Sequence, residues 1–288
     1  ETLQVSYTKC QISSTDGNMK LDTPCILRYG VHQTPTQSFL SCVTSFLSDD
    51  ENELSLEECK QKIVNIITLD NFISYQNGNL LQVFTASELQ NDTIDESLYQ
   101  DSSFYKSIDQ QDPSQKFLLY RAIHAMNHFK TYIVSTTSII DHTYLWDILS
   151  HPHPNLCPDG LNIVIMETTN DDITNNVEFL CPSNHYSTQK YSMYKPTVIL
   201  YKKEDNYEPI YACTKYKIMV GISDKKQKTA YKYIRRFSWK DLTLIPNIQR
   251  LLLSISNYGC STFPSKPKEY TFQENITCTM LLKELQKI

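Results

Sequence analysis

The feature that most constrains this chain is a change of hydrophobic period about midway along it. Ahead of residue 160, apolar residues recur at helical spacing. Beyond it come short runs rich in Val, Ile, Tyr and Phe, separated by Asn, Asp, Ser and Pro clusters. Helices first, then a mostly antiparallel sheet, then closing helices specify an α+β domain. No internal repeat or low-complexity tract interrupts that order.

The helices carry start signals. Thr36 is placed to cap a helix running to about Leu47, with Phe39, Val43, Phe46 and Leu47 on one face. The string SLEE, Ser55 to Glu58, is a capping box that opens a second helix ending near Ile67. Asn77–Gly78 stops the next apolar stretch. Residues 86–112 are polar and acidic and read as a surface loop or insertion. DPSQ then starts the strongest helix, Pro113 to about Val134, with Pro at its first position. A shorter helix follows from about Thr143 to Leu149, capped by Asp141 or His142.

Strands are expected at 161–167, 176–181, 196–203 and 207–213, the last two joined by EDN as a hairpin. Closing helices are expected at Pro246–Tyr258 and Asn275–Lys287. Residues 1–27 read as an N-terminal extension and 28–288 as the domain proper, closed by 246–288. A chain of 288 residues is long enough to bury a sizeable core. It opens on Glu1, which leads to the expectation that it is part of something longer.

Hydrophobic residues make up 40% and charged residues 20%, ordinary for a globular protein, and no apolar run approaches the roughly 18 residues of a membrane span. Nine cysteines are dispersed without a CxxC pair, which reads as free buried thiols in a reducing compartment. On that reading the sequons at Asn91 and Asn275 are accidental. The net charge of −5 disfavours broad nucleic-acid binding, yet the charge is uneven. Between Lys215 and Lys240 nine basic residues face one acid, Asp224. That stretch is either a solvated hairpin or loop, or a docking patch in which Lys225, Lys226, Lys228, Arg235 and Arg236 bind RNA, DNA or an acidic partner, helped by Tyr231, Tyr233 and Trp239 among the charges.

Several chemical constellations can be weighed. His124 and His128 lie four apart on the long helix, and His151, His153 and Cys157 follow on a loop. Without a catalytic Glu between the helix pair, these read as ordinary surface and helix residues, so no metal and no cofactor are expected. His185, within CPSNHYS, could act as a general base or simply sit in a polar turn. Cys42 lies one turn inside the first amphipathic helix and reads as a small core residue.

Two segments carry a resemblance. Pro35-Thr36-Gln37-Ser38-Phe39-Leu40-Ser41-Cys42-Val43 resembles the start of OTU-type cysteine proteases, Asp-Gly-Asn-Cys-Leu-Phe-x-Ala-Ile. Asn206-Tyr207-Glu208-Pro209-Ile210 resembles their closing strand, His-Tyr-(Asp/Glu)-x-Ile. The resemblance implies an OTU- or papain-like arrangement, with one central helix packed on the sheet. It also places Ser38 where the nucleophilic Cys belongs, Asn206 where the His belongs and Pro35 where the Asp belongs. A longer resemblance spans roughly 28–288. It runs through YGVHQTPTQSFLSC, DHTYLWDIL, GLNIVIMETTNDDITNNVEFLCPSNHYS, YKPTVILYKKEDNYEPIY, PNIQRLL and PSKPKEYTFQENI. These look like a region of large uncharacterised proteins of nucleocytoplasmic large DNA viruses, the giant viruses. That implies a viral origin and a multidomain parent, and no reaction.

A Ser–Asn pair cannot replace Cys–His, because the hydroxyl is not ionised at neutral pH and an amide cannot accept and return a proton. Loss of one member of a catalytic triad costs on the order of 10⁴-fold or more in rate. The first expectation is therefore a pseudoenzyme. It would be a non-catalytic binding or scaffolding domain with a viral or ubiquitin-like protein partner, no membrane association, and a place in the host cytoplasm or virion. Two others stay open: a divergent cysteine protease or deubiquitinase using Cys42 and His185, and a nucleic-acid-associated module using the basic 215–240 stretch.

Overall fold

A computed structural model describes residues 20–31, 36–48, 53–85, 94–168, 177–180, 191–220, 226–239 and 246–258. The elements run β1 (Pro24–Arg28), α1 (Ser38–Leu47), α2 (Leu56–Ile66), α3 (Leu69–Phe72), α4 (Asn79–Val83), α5 (Ser103–Ser107), α6 (Pro113–Val134), α7 (His142–Ser150), β2 (Asn162–Thr168), β3 (Glu178–Leu180), β4 (Thr197–Lys203), β5 (Asn206–Val220), β6 (Lys226–Ile234) and α8 (Pro246–Tyr258). The α+β expectation holds: helices and an open mixed sheet.

The sheet has six strands in the order β1-β5-β4-β2-β3, with β6 also on β5. All its pairings are antiparallel except β2 with β4, which is parallel. That pair sits at the centre and is buried on both faces, which is why NIVIM and TVIL are continuous apolar runs and not alternating ones. Ile163, Ile165, Val198, Leu200, Tyr207 and Tyr211 face the helical layer of α1 to α7. Val164, Met166, Ile199, Ile210 and Ala212 face Phe237 and α8, where Ile248, Leu251, Leu252 and Ile255 cover the opposite side. The side-chain period of two thus divides one sheet between two cores.

Most local starts behave as their residues dictate. Ser55 and Glu58 form the reciprocal capping box of α2. Asp112 caps α6 through Ser114 N, with Pro113 at the first position, and Asp141 caps α7 through Thr143 N. The stop at Asn77–Gly78 is a left-handed run: Gln76, Asn77 and Gly78 have φ of 53°, 54° and 85°. Asp147, which is buried, holds it by accepting from Gln76 N at 2.8 Å.

Four expectations need correction. Thr36 does not cap α1; the capping residue is Gln37, with no side-chain cap bond, because its amide reaches instead to Ser135 O at 2.8 Å. Residues 94–112 are not a bare loop. A 3₁₀ turn at Glu96–Tyr99 and α5 are pinned by long-range partners, Asp70 accepting from Ser102 Oγ at 2.7 Å and Phe104 N at 2.8 Å. The boundary at 27/28 cuts β1, whose Cys25 is wholly buried and pairs with Cys213 across the ladder. Cys25 is disulfide-bonded, so the set is not nine free thiols, although Cys42, Cys59, Cys157 and Cys213 are free and buried. The expected helix at Asn275–Lys287 and residues 86–93 lie outside the described residues.

Candidate functional site

α1 starts against the β4–β5 turn. Ser38, its first residue, is 2% exposed. The hydroxyl donates to Asp205 O at 2.9 Å and accepts from Tyr207 N at 3.2 Å. One side chain therefore clasps the backbone on both sides of Asn206, and the two segments that resemble a protease's nucleophile and base regions do meet. What meets is a hydroxyl and a main chain. Asn206 itself is exposed, and it pairs in register with Lys203. Pro35 and His185 lie outside the described residues.

Behind this clasp sits a group that sequence reasoning rated only as a possible cap. Nδ1 of His142 lies 2.8 Å from the Tyr207 hydroxyl. Phe39 packs edge-on to Tyr207 at 5.2 Å and to His142 at 6.3 Å, and Trp146 closes the cluster 5.9 Å from His142. Burial pushes the imidazole down to about 4, helped by the charge of Lys202 and opposed by Asp141 and Glu167. Burial also drives the Tyr207 phenol far above its usual range. The pair is therefore neutral at neutral pH, and an imidazole so far below 7 is a weak proton acceptor. The signal in the sequence was the string DHTYLWD, in which a His follows its helix's capping Asp and precedes a Trp by one turn.

Around the cluster, near the carboxyl ends of β2 and β4, two ion pairs are formed. Lys202 is ion-paired with Glu167 and lies 5.9 Å from the Tyr207 ring. Arg28 pairs with Glu208 at 2.9 Å and stacks over Tyr201 at 4.8 Å. The arrangement holds backbone and rings in place; no ionisable group in it is aimed at the Ser38 hydroxyl.

Cys42 is wholly buried among core residues. Burial pushes its thiol well up, and the charge of Glu208 adds to that. Such a thiol is neither ionised at neutral pH nor open to a substrate. Cys59 shares this setting, pushed up to about 11 by burial.

The other candidates are dispersed. His128 Nδ1 lies 3.2 Å from Phe84 O, its ring 6.4 Å from that of His124. His151 Nδ1 lies 2.8 Å from Asp147 O, and His153 Nδ1 accepts from Asn155 N. Among the described residues no three metal-ligating side chains converge, and no helix is long and apolar enough to cross a membrane.

The basic stretch splits in two. Arg235 donates to Ser48 O, and Arg236 Nε donates to Phe46 O at 2.9 Å. Both guanidinium groups thus serve the terminal carbonyls and negative dipole end of α1, where a cation is held because unpaired carbonyls gather. Lys226 and Lys228 lie on β6, and Lys225 is outside the described residues. Beside the C-terminal half of α1 a cavity of about 560 Å³ is lined by Tyr29, Ser41, Thr44, Ser45, Glu53 and Arg235, among others.

No protein-family model, curated protein or solved structure matches the chain.

Proposed function

We propose that the chain is a non-catalytic binding or scaffolding domain of OTU-like descent within a large giant-virus protein, and that its partner is a protein, viral or ubiquitin-like. The observation that carries this reading is the Ser38 clasp. The side chain at the nucleophile position spends its donor on Asp205 O and accepts from Tyr207 N. A hydroxyl whose proton is given to a main-chain carbonyl, and which is almost fully buried, has no base to activate it and no open approach for an acyl carbon. The nearby imidazole is held neutral with its Nδ1 against Tyr207. The divergent-protease alternative through Cys42 would need a thiolate that burial suppresses. Of the two placements considered, the virion is the one that accommodates the Cys25 disulfide.

The test uses ubiquitin carrying a C-terminal electrophile, together with isopeptide-linked diubiquitin. The reading expects no adduct and no cleavage above a buffer control, while ubiquitin titrated into the labelled domain shifts a defined set of its amide resonances. An adduct at any cysteine that is lost on Cys42→Ala would replace the reading with the protease. Neither adduct nor shift would remove the ubiquitin-like partner and leave a viral one.

A further inference from the structure

The lining of the cavity beside α1 includes Val31, Ser48 and Glu53, whose chain neighbours 32–35 and 49–52 are outside the described set, and the buried Lys60 ammonium is spent on Glu57, Val134 O and Ser135 O. The β5–β6 arm is different. β5 is bonded to β4 over 206–210 and to β1 over 210–214. Among the described residues, from Lys215 onward it pairs with β6 alone, apart from a single bridge to Leu21, so 215–220 and 226–231 leave the sheet as a two-stranded ribbon. Between Lys215 and Ile234 there are six lysines against one aspartate, a net +5 in a chain that totals −5, so the remainder carries −10.

We propose that this ribbon docks into duplex DNA, held by the phosphate backbone through Lys217, Lys228 and Lys232 and without sequence preference. The register gives the reason for a duplex. Lys228 stands opposite Ile218, Lys232 opposite Thr214, and Lys217 opposite Thr229. Cross-strand partners share a face and successive residues alternate, so Lys228 and Lys232 project from one face and Lys217 from the other. All three are exposed. A flat acidic surface would use one face only. A groove walled by phosphates on both sides uses both, and the major groove, about 12 Å wide, admits a two-stranded ribbon. Tyr216, Tyr231 and Tyr233 are half-buried, which withholds the open aromatic platforms that a single strand stacks on. The acidic remainder repels phosphate and leaves the arm as the approach. Arg235 and Arg236 take no part, because α1 holds them.

The experiment is fluorescence anisotropy of a labelled mixed-sequence DNA duplex of about two helical turns, titrated with the whole chain between 50 and 200 mM KCl. Binding that weakens with salt is expected. Lys217→Gln/Lys228→Gln/Lys232→Gln should weaken it at least tenfold at the lowest salt and flatten the log–log salt slope by roughly 3, at about 0.9 per phosphate contact. The charge-matched Lys62→Gln/Lys106→Gln/Lys116→Gln should leave both unchanged. Lys217→Arg/Lys228→Arg/Lys232→Arg should retain binding, which separates charge loss from misfolding. The proposal is overturned by no binding at 50 mM, by equal loss in the charge-matched control, by failure of the arginine version to bind, or by tighter binding of the single strand.

Discussion

The two ends of β5 put the same kinds of side chain to opposite uses. At its start, around Asn206, polar groups are turned inward: Ser38 clasps the turn, Tyr207 meets His142, and Glu167 holds Lys202. At its far end, beyond Lys215, the exposed Lys217, Lys228 and Lys232 stand on a two-stranded ribbon. The first region has spent its hydrogen bonds on folding, and the second presents exposed lysines, which is what the proposed docking would use. The difference teaches where to look for function: residue type at a given position says less than whether its donors and acceptors are already used.

The comparison can be broken from its inward end first. His142 is held down at about 4 by burial, against roughly 6.5 for an exposed imidazole, so the unfolded chain binds a proton that the folded chain refuses. Stability is therefore complete above about pH 6.5 and falls as pH drops toward 4, by about 3 kcal/mol in all. Urea unfolding at pH 7, 6, 5 and 4 should show that decline, and His142→Gln should flatten it. An unchanged slope in the variant would mean that other groups carry the pH dependence.

A smaller effect is expected where the basic stretch divides. Arg236→Met removes the donor to Phe46 O at the end of α1 and should lower stability by about 1–2 kcal/mol in the same assay. Lys228→Gln, on the outward ribbon, should stay within about 0.5 kcal/mol of the parent, as an exposed substitution does. Equal costs for the two would erase the division between structural arginines and free lysines.

Much of the fold was legible because it is written locally. α6 and α8 fall at Pro113–Val134 and Pro246–Tyr258, where a proline at the first position and an apolar helical period coincide. The Ser55–Glu58 box and the β4–β5 hairpin are likewise short-range signals. What escaped depends on partners far along the chain. Residues 94–112 are ordered by Asp70, some thirty residues earlier, which no window around them contains. The parallel pairing of β2 and β4 depends on α8 covering the second face, so Val164 and Ile199 are buried by a helix beginning at Pro246.

The site was half legible. The meeting of the Ser38 and Asn206 segments was implied only by their resemblance to two protease segments, and a sequence cannot say that Ser38 reaches main chain on either side and leaves Asn206 exposed. Nor does a run of positive charge tell which members face a helix terminus. Arg235 and Arg236 are set apart from Lys228 by the helix end that folds against them, which lies some 190 residues away in the chain.

The most direct measurement is the urea-unfolding free energy of Ser38→Ala beside turnover of a fluorogenic ubiquitin C-terminal substrate. Removing the hydroxyl strands a buried Tyr207 N–H, so the account predicts a loss of about 1–3 kcal/mol with turnover at buffer level before and after. A variant as stable as its parent, combined with parental hydrolysis that the substitution abolishes, would contradict it.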